Sequence, residues 1–204
     1  MQATAVLYLG HMNPFTNAHE AIISKLAEQY QVYVLPVRFL KNGLEVNTRS
    51  FPFSYELRRE MIESVFGDSV MVLPDYCFHS PFQSYLPPVL SPRSWELRRH
   101  IISKINEKKL VSYTGDSVER LMLRVYRLNP LKGKRLPISA SSVKEMLYRD
   151  SHDHKDGKWR SLVPKTVEAL IDQNWTVVEK FSKARDDTKK VMGMKFPLDG
   201  YRNQ

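Results

Sequence analysis

The chain has 204 residues, of which 42% are hydrophobic and 26% are charged. It can therefore bury one sizeable core, but no run approaches the roughly 18 consecutive apolar residues of a membrane-spanning helix. The net charge of +9 favours anionic partners, which include nucleotides, phosphorylated metabolites, nucleic acid and anionic lipid. The single cysteine, Cys77, excludes an intrachain disulfide and a cysteine-based zinc site, and it fits a reducing, cytoplasmic setting. The N-terminus enters an apolar run without a preceding basic region, so we expect no signal peptide.

The first part of the chain alternates predicted strands and helices. Residues 4–9 are β-branched and aromatic and predict a buried strand, and residues 17–30 have the spacing of an amphipathic helix. Residues 32–37 predict the next strand. Residues 39–51 show no periodicity and predict a loop, whereas residues 53–66 predict a second helix with Leu, Met and Val on one face.

The alternation continues after a proline-rich interruption. Residues 70–73 predict a third strand, and residues 74–92 contain five prolines, which indicate an ordered loop or lid. A third helix is predicted at about 93–107, and LVSYTG at residues 110–115 predicts a fourth strand. Strands that alternate with helices in this way predict an α/β fold with a parallel sheet.

A polar elbow, GHMNPFTNAH at residues 10–19, connects the first predicted strand to the first helix. Parallel sheets bind ligands outside the carboxyl ends of their strands, and a helix N-terminus offers free N–H groups to a phosphate. Gly10 would let the backbone approach a ligand or turn sharply, Thr16 or Asn17 would cap the helix, and His19 would donate to a phosphate oxygen. Plain capping and a surface histidine are the alternatives.

A second polar elbow, ISASSVK at residues 138–144, likewise leads into a predicted helix. Ser139 or Ser141 would cap a new helix, and Lys144 would supply a mobile positive charge one turn inside it. An ordinary serine-capped helix is the alternative. Two such elbows in one domain would hold a polyphosphate from both sides, as nucleotidyl transfer requires.

The two elbows resemble the motifs of the nucleotidylyltransferase superfamily, which has an (H/T)xGH motif after its first strand and an ISxTxxR-type motif at a later helix start. Here they read TNAH at residues 16–19 and ISASSVK at residues 138–144. Residues 47–66 and 157–171 are similar to two further segments of nicotinamide mononucleotide adenylyltransferases. The chain departs from the pattern at Ala18 in place of glycine, at His11 in place of a basic residue, and at Lys144 in place of arginine.

The resemblance implies a Rossmann-like parallel sheet with helices on both faces in a single domain. Residues 1–175 would form the nucleotidyltransferase domain, and residues 176–204 a basic C-terminal extension packed on it or extending from it. The implied reaction is Mg²⁺-dependent transfer of AMP from ATP to a phosphate-bearing acceptor with release of pyrophosphate. Nicotinamide mononucleotide, which would give NAD, is the favoured acceptor. Cytidylyltransferase and phosphopantetheine adenylyltransferase activities stay open, and a nucleic-acid-binding module is the non-enzyme alternative.

The resemblance also assigns roles to individual residues. Thr16 and His19 would contact the triphosphate and stabilise the charge that develops in the transition state. The β- and γ-phosphates would be gripped by Ser139, Ser141 and Lys144. Further nucleotide contacts are expected from Gly10, His11, Met12, Asn13, Ser139, Ser141 and Ser142. We assign no protein ligands to the metal.

Other candidates follow from position in the chain. Asp116 follows the predicted strand 110–115 and would read the nucleotide or a bound metal, with a helix cap as the alternative. Candidates for stacking on the acceptor are Tyr76, Phe78 and Trp95, for each of which core packing is the alternative. Arg120 would reach the phosphates from the helix that follows Asp116. The other long basic side chains on predicted helices, Arg58, Arg59 and Arg124, are expected to be solvated. We expect a nucleoside triphosphate and a phosphorylated small molecule as partners, and neither membrane nor nucleic acid; a homo-oligomer stays open.

Overall fold

A five-stranded parallel sheet forms the centre of the protein. The computed structural model describes residues 4–115, 117–133, 136–152 and 157–202. The strands of the sheet are β1 (Ala5–Gly10), β2 (Gln31–Pro36), β5 (Met71–Val72), β7 (Leu110–Thr114) and β8 (Pro130–Lys132). The sheet has the order β5-β2-β1-β7-β8, and every neighbouring pair is parallel. The predicted α/β fold with a parallel sheet is confirmed.

Helices cover both faces of this sheet, because alternate strand residues point to opposite sides. The helices are α1 (Asn17–Ala27), α2 (Tyr55–Phe66), α3 (Pro92–Ser103), α4 (Ser117–Val125), α5 (Ala140–His152), α6 (Lys165–Gln173) and α7 (Trp175–Ser182). Val6 of β1 belongs to a core shared with α1, α2, α5, α6 and α7. Its neighbour Leu7 belongs to a second core that contains Ile101 of α3 and Leu123 of α4. This two-faced arrangement is the Rossmann-like layering expected from the resemblance.

A smaller sheet lies beside the large one and corrects two predictions. Residues 39–51, predicted to be a loop, contain a β-hairpin of β3 (Arg38–Lys41) and β4 (Leu44–Glu45). Its turn residues Asn42 and Gly43 both have positive φ, at 53° and 81°, which an Asn-Gly pair accommodates well. The third strand, β6 (Cys77–His79), lies in the segment 74–92 that was predicted to be irregular.

The C-terminal residues form a second hairpin, β9 (Thr188–Val191) and β10 (Met194–Pro197). Phe196 of β10 is fully buried in a third core, where its ring lies 5.7 Å from Phe39 and 5.9 Å from Phe78. The backbone N–H of Phe82 donates to the carbonyl of Gly200 at 2.9 Å. The chain end is therefore packed against the small sheet through aromatic contacts and against the residues that follow β6 through backbone hydrogen bonds.

Gly200 offers a test of this packing. Its φ is +82°, and a Cβ added there would lie 3.0 Å from the Phe82 ring and 3.1 Å from Ser80 Cβ. Gly193, in the turn between β9 and β10, has a similar φ of +85° but nothing within 4 Å. We expect Gly200→Ala to cost about 2–3 kcal/mol of folding free energy and the control Gly193→Ala only about 1 kcal/mol, because only the first adds a clash to the strain. Thermal unfolding of both variants measures the difference, and equal losses would contradict the docking described here.

Candidate functional site

A cleft of about 740 Å³ opens at the carboxyl ends of β1 and β7. This volume lies within the range of small-molecule sites, about 300–1,000 Å³. The cleft is lined by both elbows together with the strand ends: Tyr8, Leu9, His11, Ala18, His19, Ile22, Tyr113, Thr114, Gly115, Glu119, Leu136, Pro137, Ile138, Ser139 and Ala140. The start of α1 and the start of α5 thus border the same space. Their N-termini can act together on one anionic ligand.

His19 is held in the first turn of α1 by the residue that precedes the helix. The backbone N–H of Thr16 donates to His19 Nδ1 at 3.0 Å, and Thr16 Oγ1 also lies 3.0 Å from Nδ1. Because an N–H always donates, Nδ1 must be the unprotonated nitrogen, and the ring proton of neutral His19 is on Nε2. Nε2–H is therefore the group that His19 can offer to a ligand.

The electrostatic setting keeps His19 neutral. Burial lowers the pKa of His19 to about 4, well below the value of an exposed histidine. At neutral pH the ring is thus a hydrogen-bond donor without a charge. His11, which also lines the cleft, has its pKa lowered to about 3 by burial and by the nearby Lys144 and Arg58. The His11 ring is stacked on Phe51 with 4.4 Å between the ring centroids.

Two buried cations hold the backbone of the first elbow. Arg58 Nη1 donates to the carbonyl of His11 at 2.8 Å, and Lys144 Nζ donates to the carbonyl of Asn13 at 3.0 Å. The C=O and N–H of a trans peptide point in opposite directions, so the Met12 N–H points away from Arg58. The contact from Arg58 thereby fixes the direction of the Met12 N–H, and the contact from Lys144 fixes the Asn13 carbonyl.

Asn13 and Met12 also help to hold the backbone of the first elbow in place. The Asn13 side chain donates to the carbonyl of Phe53 at 2.8 Å and accepts from the Phe53 N–H at 3.2 Å. Both groups are buried, which makes this two-point contact costly to break. Met12 has φ of 46° and a buried side chain, so it turns the backbone between the two cation contacts. Gly10 continues β1, and a Cβ there would meet only Met12 Cε, at 3.7 Å.

The second elbow presents a capped helix start to the cleft. Ser139 Oγ accepts from the backbone N–H of Ser141 at 3.2 Å, so the predicted capping serine is Ser139. Ser141 and Ser142 are exposed in the first turn of α5. Lys144 follows in the same helix but is buried, and its ammonium also donates to the carbonyl of Ser50 at 2.6 Å.

The predicted site residues therefore divide into four groups. His11, His19 and Ser139 line the cleft. Gly10, Met12, Asn13, Thr16 and Lys144 lie next to lining residues or hold them from behind, and Ser141 and Ser142 are exposed near the cleft rim. Asp116 lies outside the described residues. Lys144 was expected to be a mobile charge, whereas the structure places it between two carbonyl groups.

Two side chains of the site were missed or misjudged from the sequence. Arg58 was expected to be solvated, but it is buried, because its guanidinium pairs with Glu45 at 2.9 Å as well as with the His11 carbonyl. Glu119, in α4, lines the cleft and accepts from Thr114 Oγ1 at 2.5 Å. Its place in the first turn of the helix that follows β7 was the available signal, since ligands bind at such helix starts.

The candidate stacking aromatics lie away from the main cleft. Tyr76 and Phe78 line a separate apolar cavity of about 60 Å³, which shares Leu9 and Glu119 with the cleft. The Trp95 ring packs edge-on against Tyr126, with centroids 4.9 Å apart, and its indole N–H donates to the Val89 carbonyl. Trp95 is thus occupied in packing.

Two features of the described residues bear on the class of site. No group of three or more His, Cys, Asp or Glu side chains among them could hold a metal ion. None of the helices found in the described ranges has the length and apolar character needed to cross a membrane.

Comparison with known proteins gives matches in structure alone. No family model and no curated protein matches this sequence. A bifunctional NMN adenylyltransferase/ADP ribose pyrophosphatase from Francisella tularensis matches 89% of the chain at 15% identity and a TM-score of 0.63. The same protein complexed with AMP and a manganese ion matches at 16% identity and a TM-score of 0.61.

A second match covers a whole protein. A putative nicotinate-nucleotide adenylyltransferase from Vibrio parahaemolyticus matches 88% of this chain and 97% of its own, at 10% identity and a TM-score of 0.50. By contrast, this chain spans only 52–53% of the bifunctional protein. Identities this low establish the fold alone. The chain has the Rossmann-like fold of these nucleotidylyltransferase structures.

Proposed function

We propose that the protein is an adenylyltransferase that moves AMP from ATP to a phosphate-bearing acceptor and releases pyrophosphate. The observation that carries this proposal is the single cleft bordered by the first turns of α1 and α5. Two helix N-termini that face one space provide converging N–H groups and partial positive charge, as a polyphosphate requires. The fold shared with adenylyltransferase structures supports the same reading.

In this proposal the chain positions the triphosphate and stabilises charge, without a covalent intermediate. His19 donates its Nε2–H to a phosphate oxygen on which charge develops, and Thr16 keeps the ring in the required tautomer. Ser139, Ser141 and Ser142 supply hydroxyl and backbone donors at the second helix start. Gly10, His11, Met12 and Asn13 form the floor, and Lys144 contributes positive charge from behind the elbow while holding the Asn13 carbonyl.

Mg²⁺ fits this site as an ion carried on the triphosphate. Mg²⁺ is commonly bound by one or two carboxylates together with substrate phosphates, and it needs no cage made only of protein groups. Glu119 is the carboxylate that lines the cleft, and Asp116, outside the described residues, stays a proposed second one. When bound, the ion neutralises charge on the phosphates.

Nicotinamide mononucleotide is the proposed acceptor, with NAD as the product. The Francisella tularensis protein is an NMN adenylyltransferase, and the Vibrio parahaemolyticus protein is a putative nicotinate-nucleotide adenylyltransferase, which supports a pyridine nucleotide. A reducing, cytoplasmic location is proposed for the reaction from the single cysteine.

A pyrophosphate-release assay tests the proposal. ATP and CTP are each combined with nicotinamide mononucleotide, nicotinate mononucleotide and phosphopantetheine in the presence of Mg²⁺. We expect turnover with ATP and a pyridine mononucleotide. Turnover with CTP or with phosphopantetheine would reassign the substrate, and salt-sensitive oligonucleotide binding without any turnover would favour a nucleic-acid-binding module.

A further inference from the structure

Ser50 connects side chains of the C-terminal extension to the first elbow. Lys195 Nζ, on β10, donates to Ser50 Oγ at 2.8 Å and lies 3.1 Å from Asp186 Oδ2. Ser50 Oγ in turn donates to the same Asp186 oxygen at 2.9 Å. The three side chains form a closed triangle in which Ser50 both accepts and donates.

Ser50 is also one of the two groups that hold Lys144. The Lys144 ammonium donates to the Ser50 carbonyl at 2.6 Å and to the Asn13 carbonyl at 3.0 Å. Continuous hydrogen bonds therefore run from the C-terminal pair through Ser50 to Lys144 and on to the first elbow. The neighbouring residue strengthens the connection, because Arg49 donates to the carbonyls of Phe181 and Ser182 and accepts from the Tyr148 hydroxyl.

We propose that Asp186 and Lys195 are positioning residues for the cleft bordered by the two elbows: they fix Ser50, which with Asn13 fixes the Lys144 ammonium behind the first elbow, and their opposite charges act on that ammonium. This role rests on the proposed adenylyl transfer. It gives the extension that begins at residue 176 a part in the site, although none of its residues lines the cleft among the described ones.

The ion pair between Lys195 and Asp186 is partly exposed, so its effect should be measured on Lys144 and not on stability. The side chains of Lys195 and Asp186 are 45% and 37% exposed, so their ion pair contributes well under about 1 kcal/mol to stability. Their charges also act on the buried ammonium of Lys144. Burial lowers the pKa of Lys144 to about 8; Lys195 and Arg58 lower it as well, whereas Asp186 and Glu145 raise it. His11 is a further titratable group within electrostatic reach of Lys144.

The two members of the pair should therefore shift Lys144 in opposite directions. Asp186→Asn removes a carboxylate that favours the ammonium, so the titration midpoint of Lys144 is expected to fall by about 0.5 in pH. Lys195→Met removes a competing cation and leaves Asp186 free to act on Lys144, so the midpoint is expected to rise by about the same amount. A purely structural role would give two shifts of the same sign or none.

The experiment follows the Lys144 side chain by NMR in protein with labelled lysine, with Lys144→Met used for assignment. Lys190→Met is the matched control, because Lys190 lies opposite Lys195 in the hairpin and is exposed. We expect that control to leave the midpoint unchanged and Lys195→Arg, which keeps both the charge and a donor, to resemble the parent. In kinetics, the basic limb of kcat/KM for ATP should move with the midpoint, while KM for the acceptor stays within about twofold.

The outcomes distinguish failure of the positioning role from failure of the proposed adenylyl transfer. Midpoints that stay constant, or that move together in both variants, overturn the positioning role whether or not the enzyme turns over. Opposite midpoint shifts with an unchanged kinetic profile in an active enzyme overturn it as well. Absence of turnover on every nucleotide–acceptor combination overturns the proposed adenylyl transfer, and with it the positioning role that rests on it.

Discussion

His19→Ala is expected to lower kcat for adenylyl transfer by about 10²–10³-fold. This is the usual effect of removing one donor that faces charge developing in a transition state. The Nε2–H of His19 is that donor, because Nδ1 accepts from the Thr16 N–H. Pyrophosphate release under saturating ATP and acceptor measures the loss.

The variant should remain folded, which keeps the result interpretable. Loss of the Thr16–His19 hydrogen bond at the helix start costs about 1 kcal/mol, a small part of a domain's stability. His100→Ala is the matched control: His100 is exposed on α3 and pairs with Asp75 at 2.8 Å, away from the cleft. We expect it to keep its activity within about twofold. A folded His19→Ala protein that turns over at the parent rate would remove His19 from the mechanism.

Arg58→Met is expected to destabilise the protein by about 3–5 kcal/mol. The Arg58 and Glu45 side chains are 3% and 16% exposed, so removing the guanidinium leaves a carboxylate in a poorly solvated place. The substitution also removes the hydrogen bond to the His11 carbonyl, and activity should fall together with stability. The midpoint of urea unfolding, followed by circular dichroism, measures the change.

The adjacent residue supplies the control for Arg58. Arg59 pairs with Glu63 one turn along α2 at 2.7 Å, with both side chains more than 40% exposed. Arg59→Met should therefore leave the midpoint of urea unfolding nearly unchanged. In addition, Glu45→Leu combined with Arg58→Met should recover part of the loss, because neither charge is then left alone. Similar costs for Arg58→Met and Arg59→Met would show that the buried pair does not brace the elbow.

Local patterns in the sequence predict much of the fold and the cleft. The alternation of apolar strands with amphipathic helices predicts the parallel sheet, and the two elbows were predicted to act on one anion. One local signal was overlooked: Asn42-Gly43 is a typical hairpin turn, yet the segment around it was predicted to be a loop. The predicted catalytic roles of Thr16, His19 and Lys144 stay predictions until turnover is measured.

The sequence by itself determined the first strands and helices of the large parallel sheet and the two helix starts that border the cleft, because these depend on neighbours a few residues apart. Only the tertiary structure decided which of the long basic side chains are buried. Arg58 meets a carbonyl 47 residues away and Lys144 one that is 131 residues away. Whether a long basic side chain is solvated or buried depends on such distant carbonyls and carboxylates, since burying a cation is costly unless they satisfy it. Local periodicity holds no information about them.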